Sequence, residues 1–70
     1  MNRTLLEYCV AKGGYTATAM AQKLGLSRTS YYNKLKGKSP FTHGDICILV
    51  STLKLTRDEL VDIFFANVVE

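Results

Sequence analysis

The sequence has few of the residues on which catalysis and metal binding depend. His43 is the only histidine, and there is no paired carboxylate in a plausible cleft, no phosphate-binding loop and no nucleophile beside a base. Cys9 and Cys47 are too few and too far apart for a disulfide framework, and with His43 they lack metal-site spacing. Because each cysteine falls in an apolar helical stretch, we expect both to be small core residues and His43 to be exposed. The composition therefore predicts no enzyme, no cofactor and no bound metal.

Long apolar runs and strand-like patterns are also absent. No run approaches the ~20 residues of a transmembrane helix, and the N-terminus does not resemble a signal peptide. No segment alternates polar and apolar residues with a period of two. Hydrophobic residues nevertheless make up 47% of the chain, which is typical of a globular protein and argues against disorder. We therefore expect residues 1–70 to form one cytoplasmic all-α domain with no membrane partner.

Acidic residues are missing from residues 8–44, although the formal net charge of the chain is only +3. This segment has six basic residues, whereas residues 45–70 have two basic and five acidic residues. A basic patch attracts phosphate before any base sequence is read. We interpret the basic segment as a surface for DNA, and the alternative is a solvated lysine surface of the kind that many soluble domains have.

Helix starts are marked by one local pattern that occurs four times. An apolar residue precedes Ser or Thr, and a second apolar residue follows four positions after that hydroxyl residue, which is the hydrophobic staple around an N-cap. The four instances are Tyr15-Thr16 with Met20, Leu26-Ser27 with Tyr31, Phe41-Thr42 with Ile46, and Leu55-Thr56 with Leu60. Asp45 and Glu59 stand at the third helical position after Thr42 and Thr56, so these two starts are predicted capping boxes.

Helix ends are marked by glycine. Gly13-Gly14, Gly25 and Gly37 follow helical stretches, and Pro40 prevents the third helix from continuing. The starts and ends together predict five helices, near residues 3–12, 17–24, 28–36, 43–53 and 57–67. Apolar residues at helical spacing predict the core, which comprises Leu5, Leu6, Cys9, Val10, Met20, Ala21, Leu24, Tyr31, Leu35, Ile46, Leu49, Val50, Leu53, Leu60, Ile63 and Phe64. Because the loops are short, we expect a compact five-helix bundle.

Residues 17–36 have the layout of a helix-turn-helix. Two short helices are separated by Leu24-Gly25-Leu26, where glycine can adopt the positive φ that a sharp turn requires. Ala21 lies one helical turn earlier, where a small side chain allows a second helix to cross closely. The outer face of the second of these helices is polar and basic, as in motifs that insert this helix into the major groove. We therefore expect the third helix of the chain to bind DNA.

The third helix carries side chains suited to reading base edges. If Tyr31 and Leu35 face the core, the outward residues predicted to contact bases are Arg28, Thr29, Tyr32 and Asn33. Arg28 can donate two hydrogen bonds to guanine, and Asn33 can form a bidentate pair with adenine. Thr29 can contact a polar base edge or a thymine methyl, and Tyr32 can pack on a sugar or bond a phosphate.

A second set of polar residues flanks this helix in the sequence. Such residues suit phosphate, which fixes the register on the duplex without reading its sequence. The residues predicted to contact phosphate are Thr16, Thr18, Gln22, Lys34, Lys36, Lys38 and Ser39. For any one of them, the alternative is an ordinary solvent-exposed side chain.

A combined pattern between residues 16 and 65 resembles a known family. It consists of Thr16, Met20-Ala21, Leu24-Gly25-Leu26-Ser27, Leu35-Lys36-Gly37-Lys38, Phe41-Thr42 with Ile46, Leu53-Lys54-Leu55-Thr56 with Glu59-Leu60, and the ending Asp62-Ile63-Phe64-Phe65. This pattern is similar to the helix-turn-helix family of the lambda repressor and Cro, often called the XRE family, and in particular to small phage regulators. The resemblance implies a lambda-repressor-like DNA-binding domain that binds an operator, usually as a dimer, and represses transcription. Its base contacts cluster at the start of the third helix.

The chain differs from this family at two positions. Many members have glutamine where this chain has Ala17, and there the glutamine bonds phosphate and supports the recognition helix. Members also often have an aliphatic residue where this chain has Lys34. We therefore expect Leu35 to take the packing role in the third helix.

The need for a longer recognition site favours a homodimer. One such domain reads only about 4–6 base pairs, and two copies bound to half-sites one helical turn apart read a longer DNA sequence. Apolar residues beyond a single core stripe indicate a surface on the fourth and fifth helices. The predicted dimer interface comprises Ile48, Val61, Phe65, Val68 and Val69. The alternative is a fully buried fourth helix with the C-terminal tail folded over the core.

A second class of function stays open. Small phage proteins with this fold can act as antirepressors or modulators that pair with a repressor protein and bind DNA weakly. The modest net charge and Ala17 in place of glutamine are both compatible with such a protein-interaction module. The outer face of the third helix distinguishes the two, because only a DNA-binding regulator requires Arg28, Thr29, Asn33 and Lys36 for its activity.

Overall fold

Five helices account for most of the chain in the structure, a computed structural model that describes residues 1–65. They are α1 (Arg3–Lys12), α2 (Ala17–Leu24), α3 (Arg28–Leu35), α4 (His43–Leu53) and α5 (Arg57–Phe64), with no strand among the described residues. The predicted all-α bundle of five helices is thus confirmed. α3 ends one residue before its predicted end. α5 ends at Phe64, so the prediction that Phe65 is helical was wrong, and the last two residues predicted for α5 lie outside the described range.

Each helix begins at a side-chain cap that accepts a hydrogen bond from a backbone N–H three residues later. This contact satisfies one of the amides that a helix start leaves without a partner. The capping residues are Asn2, Thr16, Ser27, Thr42 and Thr56. Both predicted capping boxes form, because the carboxylates of Asp45 and Glu59 accept a hydrogen bond from the backbone N–H of the N-cap residue. Local sequence therefore determines where the helices start.

Two left-handed residues end α2 and α4. Gly25 has φ 70°, and its N–H together with that of Leu26 bonds the last carbonyls of α2, so the chain turns into α3 within residues 25–27. At the end of α4, Lys54 has φ 54° and is the one residue other than glycine with positive φ in the described part of the chain. Lysine, unlike glycine, carries a Cβ that disfavours this conformation.

The core lies where α1, α2 and α3 pack against the middle of α4 and α5. Its buried hydrophobic residues are Leu6, Cys9, Val10, Met20, Ala21, Leu24, Tyr31, Leu35, Leu49 and Ile63, and all of them belong to the predicted core. Leu5, Leu53 and Phe64 pack against this cluster at its edge. Ile46, Val50 and Leu60 are only half-buried, so α4 and α5 keep part of their apolar surface outside the core.

Cys47 is an exposed residue, so its prediction as a core residue was wrong. The buried face of α4 is fixed by Asp45 and Leu49, which are 8% and 0% exposed. Cys47 is two residues from each of them, a rotation of about 200° around the helix axis. Its side chain therefore lies on the opposite face. Cys9 is buried as predicted, and His43 is exposed as predicted.

A row of four aromatic rings crosses the molecule. Tyr32 packs edge-on against Tyr31, Tyr31 against Phe41, and Phe41 against Phe64, with centroid separations of 5.9, 6.5 and 6.0 Å. Edge-to-face pairs at these separations are favourable because the positive edge of one ring meets the negative face of the next. The row connects α3, through the loop before α4, to the end of α5. No helix within residues 1–65 has the length and apolar character needed to cross a membrane.

Candidate functional site

The outer face of α3 gathers the polar side chains that the sequence singles out. Arg28, Thr29, Tyr32, Asn33 and Lys36 together line one shallow, open depression. Arg28, Thr29 and Lys36 are exposed, whereas Tyr32 and Asn33 are half-buried at its edge. All four predicted base-contacting residues therefore share one surface. This surface presents a guanidinium, an amide, two hydroxyls and an ammonium group to solvent.

The inner face of α3 fixes the rotation of the helix and so decides which residues point outward. Tyr31 and Leu35, one turn apart, are 1% and 4% exposed. The Tyr31 ring contacts the rings of both Tyr32 and Phe41. Burial, with a contribution from the Glu7 carboxylate, raises the pKa of the Tyr31 phenol above its ordinary value of 10.0, so the buried ring is uncharged at neutral pH.

Lys34 does not belong to the outer face. Its Nζ lies 2.7 Å from Asp45 Oδ2 and 3.2 Å from the Pro40 carbonyl oxygen, and the ammonium group sits 5.9 Å from the centre of the Phe41 ring. The side chains of Lys34 and Asp45 are only 13% and 11% exposed. We therefore correct the prediction that Lys34 contacts phosphate, because its charge is already paired inside the protein.

Asp45 has a structural role that sequence reasoning recognised only in part. The sequence predicts its capping box, and the structure adds the ion pair with Lys34 on the preceding helix. Burial alone would raise the pKa of Asp45, but hydrogen bonds from Lys34 and Thr42 outweigh this effect and hold the pKa below its ordinary value of 3.8. The sequence contained one indication of this ion pair, since Asp45 is the first acidic residue after the acid-free segment.

The remaining residues predicted to contact phosphate are all exposed. Lys36 lines the depression, and the others precede or follow α3 in the chain. Thr16 caps α2, and its hydroxyl accepts from the Ala19 amide at 3.1 Å. The first turn of α2 contains no acidic residue, so its N-terminal partial positive charge is not neutralised within the helix. After α3, the Lys38 amide bonds the Asn33 carbonyl at 2.9 Å, which keeps the following loop against the end of α3. The exposed set comprises Thr16, Thr18, Gln22, Lys36, Lys38 and Ser39.

A second surface, here called the α4–α5 groove, lies on other helices. It has a volume of about 450 Å³, and its walls include His43, Ile46, Cys47, Val50, Leu60 and Phe65. Ile48 and Phe65 of the predicted dimer interface are 36% and 44% exposed, and Val61 is half-buried. The other two residues of that prediction, Val68 and Val69, lie outside the described residues. Of the described residues in that prediction, only Phe65 is a wall of the groove, which Ile46, Val50 and Leu60 line beside it, whereas Ile48 and Val61 do not line it.

Comparison with known proteins identifies no relative of this chain. No family model, no curated protein and no solved structure matches it significantly.

Proposed function

We propose that this protein is a sequence-specific DNA-binding regulator that represses transcription by inserting α3 into the major groove of an operator. In this proposal α2, residues 25–27 and α3 form a helix-turn-helix, with α3 as the recognition helix. The observation that carries the proposal is the shared depression of Arg28, Thr29, Tyr32, Asn33 and Lys36 on the exposed face of a helix whose other face is anchored in the core. The resemblance to the lambda repressor and Cro-like family supports the same function.

Sequence would be read by the first two turns of α3. Arg28 is exposed at the leading end of the helix, where its five N–H groups can reach guanine O6 and N7. Asn33 can pair with adenine, and Thr29 can contact a thymine methyl group. Each bidentate pair is worth about 1–3 kcal/mol of discrimination against a wrong base pair. Arg28 and Asn33 are therefore expected to contribute most to specificity.

Phosphate contacts would position the helix in the groove. The N-terminus of α2 at Thr16 and the loop with Lys36, Lys38 and Ser39 flank α3 on either side in the chain. Backbone amides and hydroxyl groups at a helix start suit an anion, and lysines add a screened attraction. Lys34 takes no part in these contacts, but through Asp45 it holds the end of α3 against the start of α4.

Two copies of the chain would bind together. One recognition helix covers only a half-site, so a dimer with two-fold symmetry reads a longer operator. The α4–α5 groove supplies an apolar surface that the core does not cover, and Phe65 of the predicted interface is one of its walls. Ile48 and Val61 lie on α4 and α5 but do not line the groove. We therefore place the homodimer interface on α4 and α5.

The test is a fluorescence-anisotropy titration on DNA that flanks the gene of this protein, with random DNA as the control and at two salt concentrations. Arg28→Ala and Asn33→Ala should abolish the preference for the flanking DNA. Lys12→Ala is the matched control, since Lys12 lies at the end of α1 and lines a different depression, with Leu53 and Glu59. Loss of sequence preference in the two α3 variants, but not in the control, is the expected result.

A second function is favoured by one observation, the exposed apolar groove. If the groove binds another protein, such as a repressor, the chain would act as an antirepressor or modulator and bind DNA weakly. In that case DNA binding in the titration would be weak, would show no sequence preference and would be unchanged by Arg28→Ala and Asn33→Ala. Substitutions in the groove, such as Phe65→Ser, would then abolish the protein complex.

A further inference from the structure

Two metal-ligating side chains lie side by side on the exposed face of α4. His43 and Cys47 are one helical turn apart, both are exposed, and the distance from His43 Nε2 to Cys47 Sγ is 3.5 Å. Neither residue is part of the α3 surface. The sequence alone did not indicate a metal site here, because one histidine and two cysteines are too few ligands for a closed site within one chain.

The distance between these two atoms matches the coordination geometry of a tetrahedral cation. Zinc binds imidazole nitrogen at about 2.0–2.1 Å and thiolate sulfur at about 2.3 Å. Two such ligands separated by the tetrahedral angle lie about 3.5 Å apart, as follows from these bond lengths. The contact is a hydrogen bond between the two side chains, and its N–S separation equals that of two ligands on one tetrahedral cation.

One chain provides only half of such a site. Among residues 1–65, no group of three or more His, Cys, Asp or Glu side chains is placed to hold a metal ion. The pair lies on the wall of the α4–α5 groove, beside Ile46 and Val50. In a two-fold symmetric dimer, the same patch of each copy meets its counterpart. A contact centred on this part of α4 thus brings two histidines and two cysteines together.

We propose that His43 and Cys47 from two copies of this chain hold one zinc-class divalent cation on the two-fold axis of the dimer. This inference rests on the dimer interface of the proposed function. The coordination set is Cys₂His₂, which is a common closed set for structural zinc. Each thiol releases its proton to solvent as its sulfur binds the cation, so two protons leave per cation and no electron is transferred.

The cation would couple dimerisation to DNA binding. A ligand that binds only the dimer shifts the monomer–dimer equilibrium towards the dimer by mass action. Since only the dimer covers both half-sites, the metal-bound protein should occupy an operator at a lower concentration of chain than the metal-free protein. The site therefore links operator occupancy to the supply of a zinc-class cation.

The test is a titration of the full chain with Co²⁺, after removal of metal with EDTA and in the presence of a phosphine reductant that prevents disulfides. The expected result is thiolate-to-cobalt absorption in the near ultraviolet and strong visible bands of tetrahedral cobalt, which saturate at one cobalt per two chains. Sedimentation of the same samples should show the mass doubling. His43→Gln and Cys47→Ser should abolish both signals, whereas Ser51→Ala, one turn further along the groove, should retain them.

Three results would overturn the inference. They are absence of the cobalt spectrum at millimolar Co²⁺, saturation at one cobalt per chain without a change of mass, and a spectrum that persists in Cys47→Ser. An operator-bound dimer in EDTA without a cobalt spectrum would refute the metal site and leave the proposed function intact. A cobalt-bound dimer without operator preference would support the site and refute the proposed function.

Discussion

The Lys34 ammonium and the Asp45 carboxylate meet at 2.7 Å, between the last turn of α3 and the first turn of α4. The same carboxylate oxygen accepts from the Thr42 amide at 3.0 Å and closes the capping box of α4. One oxygen atom thus bonds both to the start of one helix and to a side chain of the preceding helix. This contact fixes the end of α3 relative to α4.

Removal of the Asp45 charge should destabilise the fold strongly. Asp45→Asn leaves the Lys34 ammonium at 13% exposure without a counter-charge and weakens the capping box, so we expect a loss of about 3 kcal/mol. Lys34→Met should cost less, since methionine can pack on Phe41 and Asp45 keeps its bonds to Thr42. Urea denaturation of both variants and of the double variant measures the coupling, and additive effects would contradict the pair.

Stability should fall in acid because of Asp45. Its pKa in the folded state is below the ordinary value of 3.8, so the unfolded chain takes up the proton first as the pH falls. The stabilisation is fully present above pH 3.8 and is lost as the pH falls through the folded-state value. Thermal denaturation between pH 6 and pH 2 should show a smaller decline in Asp45→Asn than in the parent chain. Parallel curves would refute this role.

The two left-handed positions should respond to substitution in opposite directions. Gly25→Ala meets no atom within 4 Å, but φ 70° is unfavourable for alanine, so we expect a loss of about 1 kcal/mol. Lys54→Gly relieves the same strain at φ 54° and should increase stability by about 0.5–1 kcal/mol. Urea denaturation of both variants measures their free energies of unfolding, and a lower stability of Lys54→Gly than of the parent chain would contradict the prediction.

The two thiols should react at very different rates. Cys9 is buried, and burial, with the nearby Glu59 carboxylate, raises its pKa above the ordinary value of 9.0, so little thiolate is accessible. Cys47 is exposed. With an aromatic disulfide reagent and metal-free protein, one thiol per chain should react at once and the second only after addition of denaturant. Cys47→Ser should remove the fast phase, and two equal phases would show that Cys9 is accessible.

Lys36 should contribute to DNA affinity without contributing to base specificity. It is exposed at the end of α3, where a phosphate contact would release about one counterion. Lys36→Ala should weaken binding to all sequences and reduce the slope of log K against log salt concentration by about 0.9. Lys12→Ala should leave that slope unchanged. Equal slopes in the parent chain and Lys36→Ala would remove Lys36 from the interface.

The helix starts were predictable because their signals are local. A Ser or Thr cap and the apolar residues beside it act within one turn, so residues 16, 27, 42 and 56 could be recognised as caps without knowledge of the fold. The inner face of α3 was also predictable, since Tyr31 and Leu35 are one turn apart and few other apolar residues compete with them. That face in turn determined the four outward residues.

Cys47 and Lys34 were not predictable for two different physical reasons. The run Ile46-Cys47-Ile48-Leu49-Val50 is apolar all around the helix, so periodicity could not show which side of α4 faces the core. The partner of Lys34 is eleven residues away on another helix, and no local rule determines that distance. The proximity of His43 and Cys47 was predictable, since they are four residues apart on a predicted helix, and only the exposure of Cys47 required the structure.

The row of four aromatic rings connects two depressions on the surface of the molecule. Tyr32 lines the depression on α3, and at the other end of the row Phe64 lines a groove together with Phe65. Phe41 lies between them and contacts a ring on each side. The depression on α3 and the groove at the end of α5 are therefore joined by one continuous row of ring contacts, which passes through Tyr31 and Phe41. A substitution that changes the volume of Phe41 should therefore alter ring packing on both sides, against Tyr31 and against Phe64.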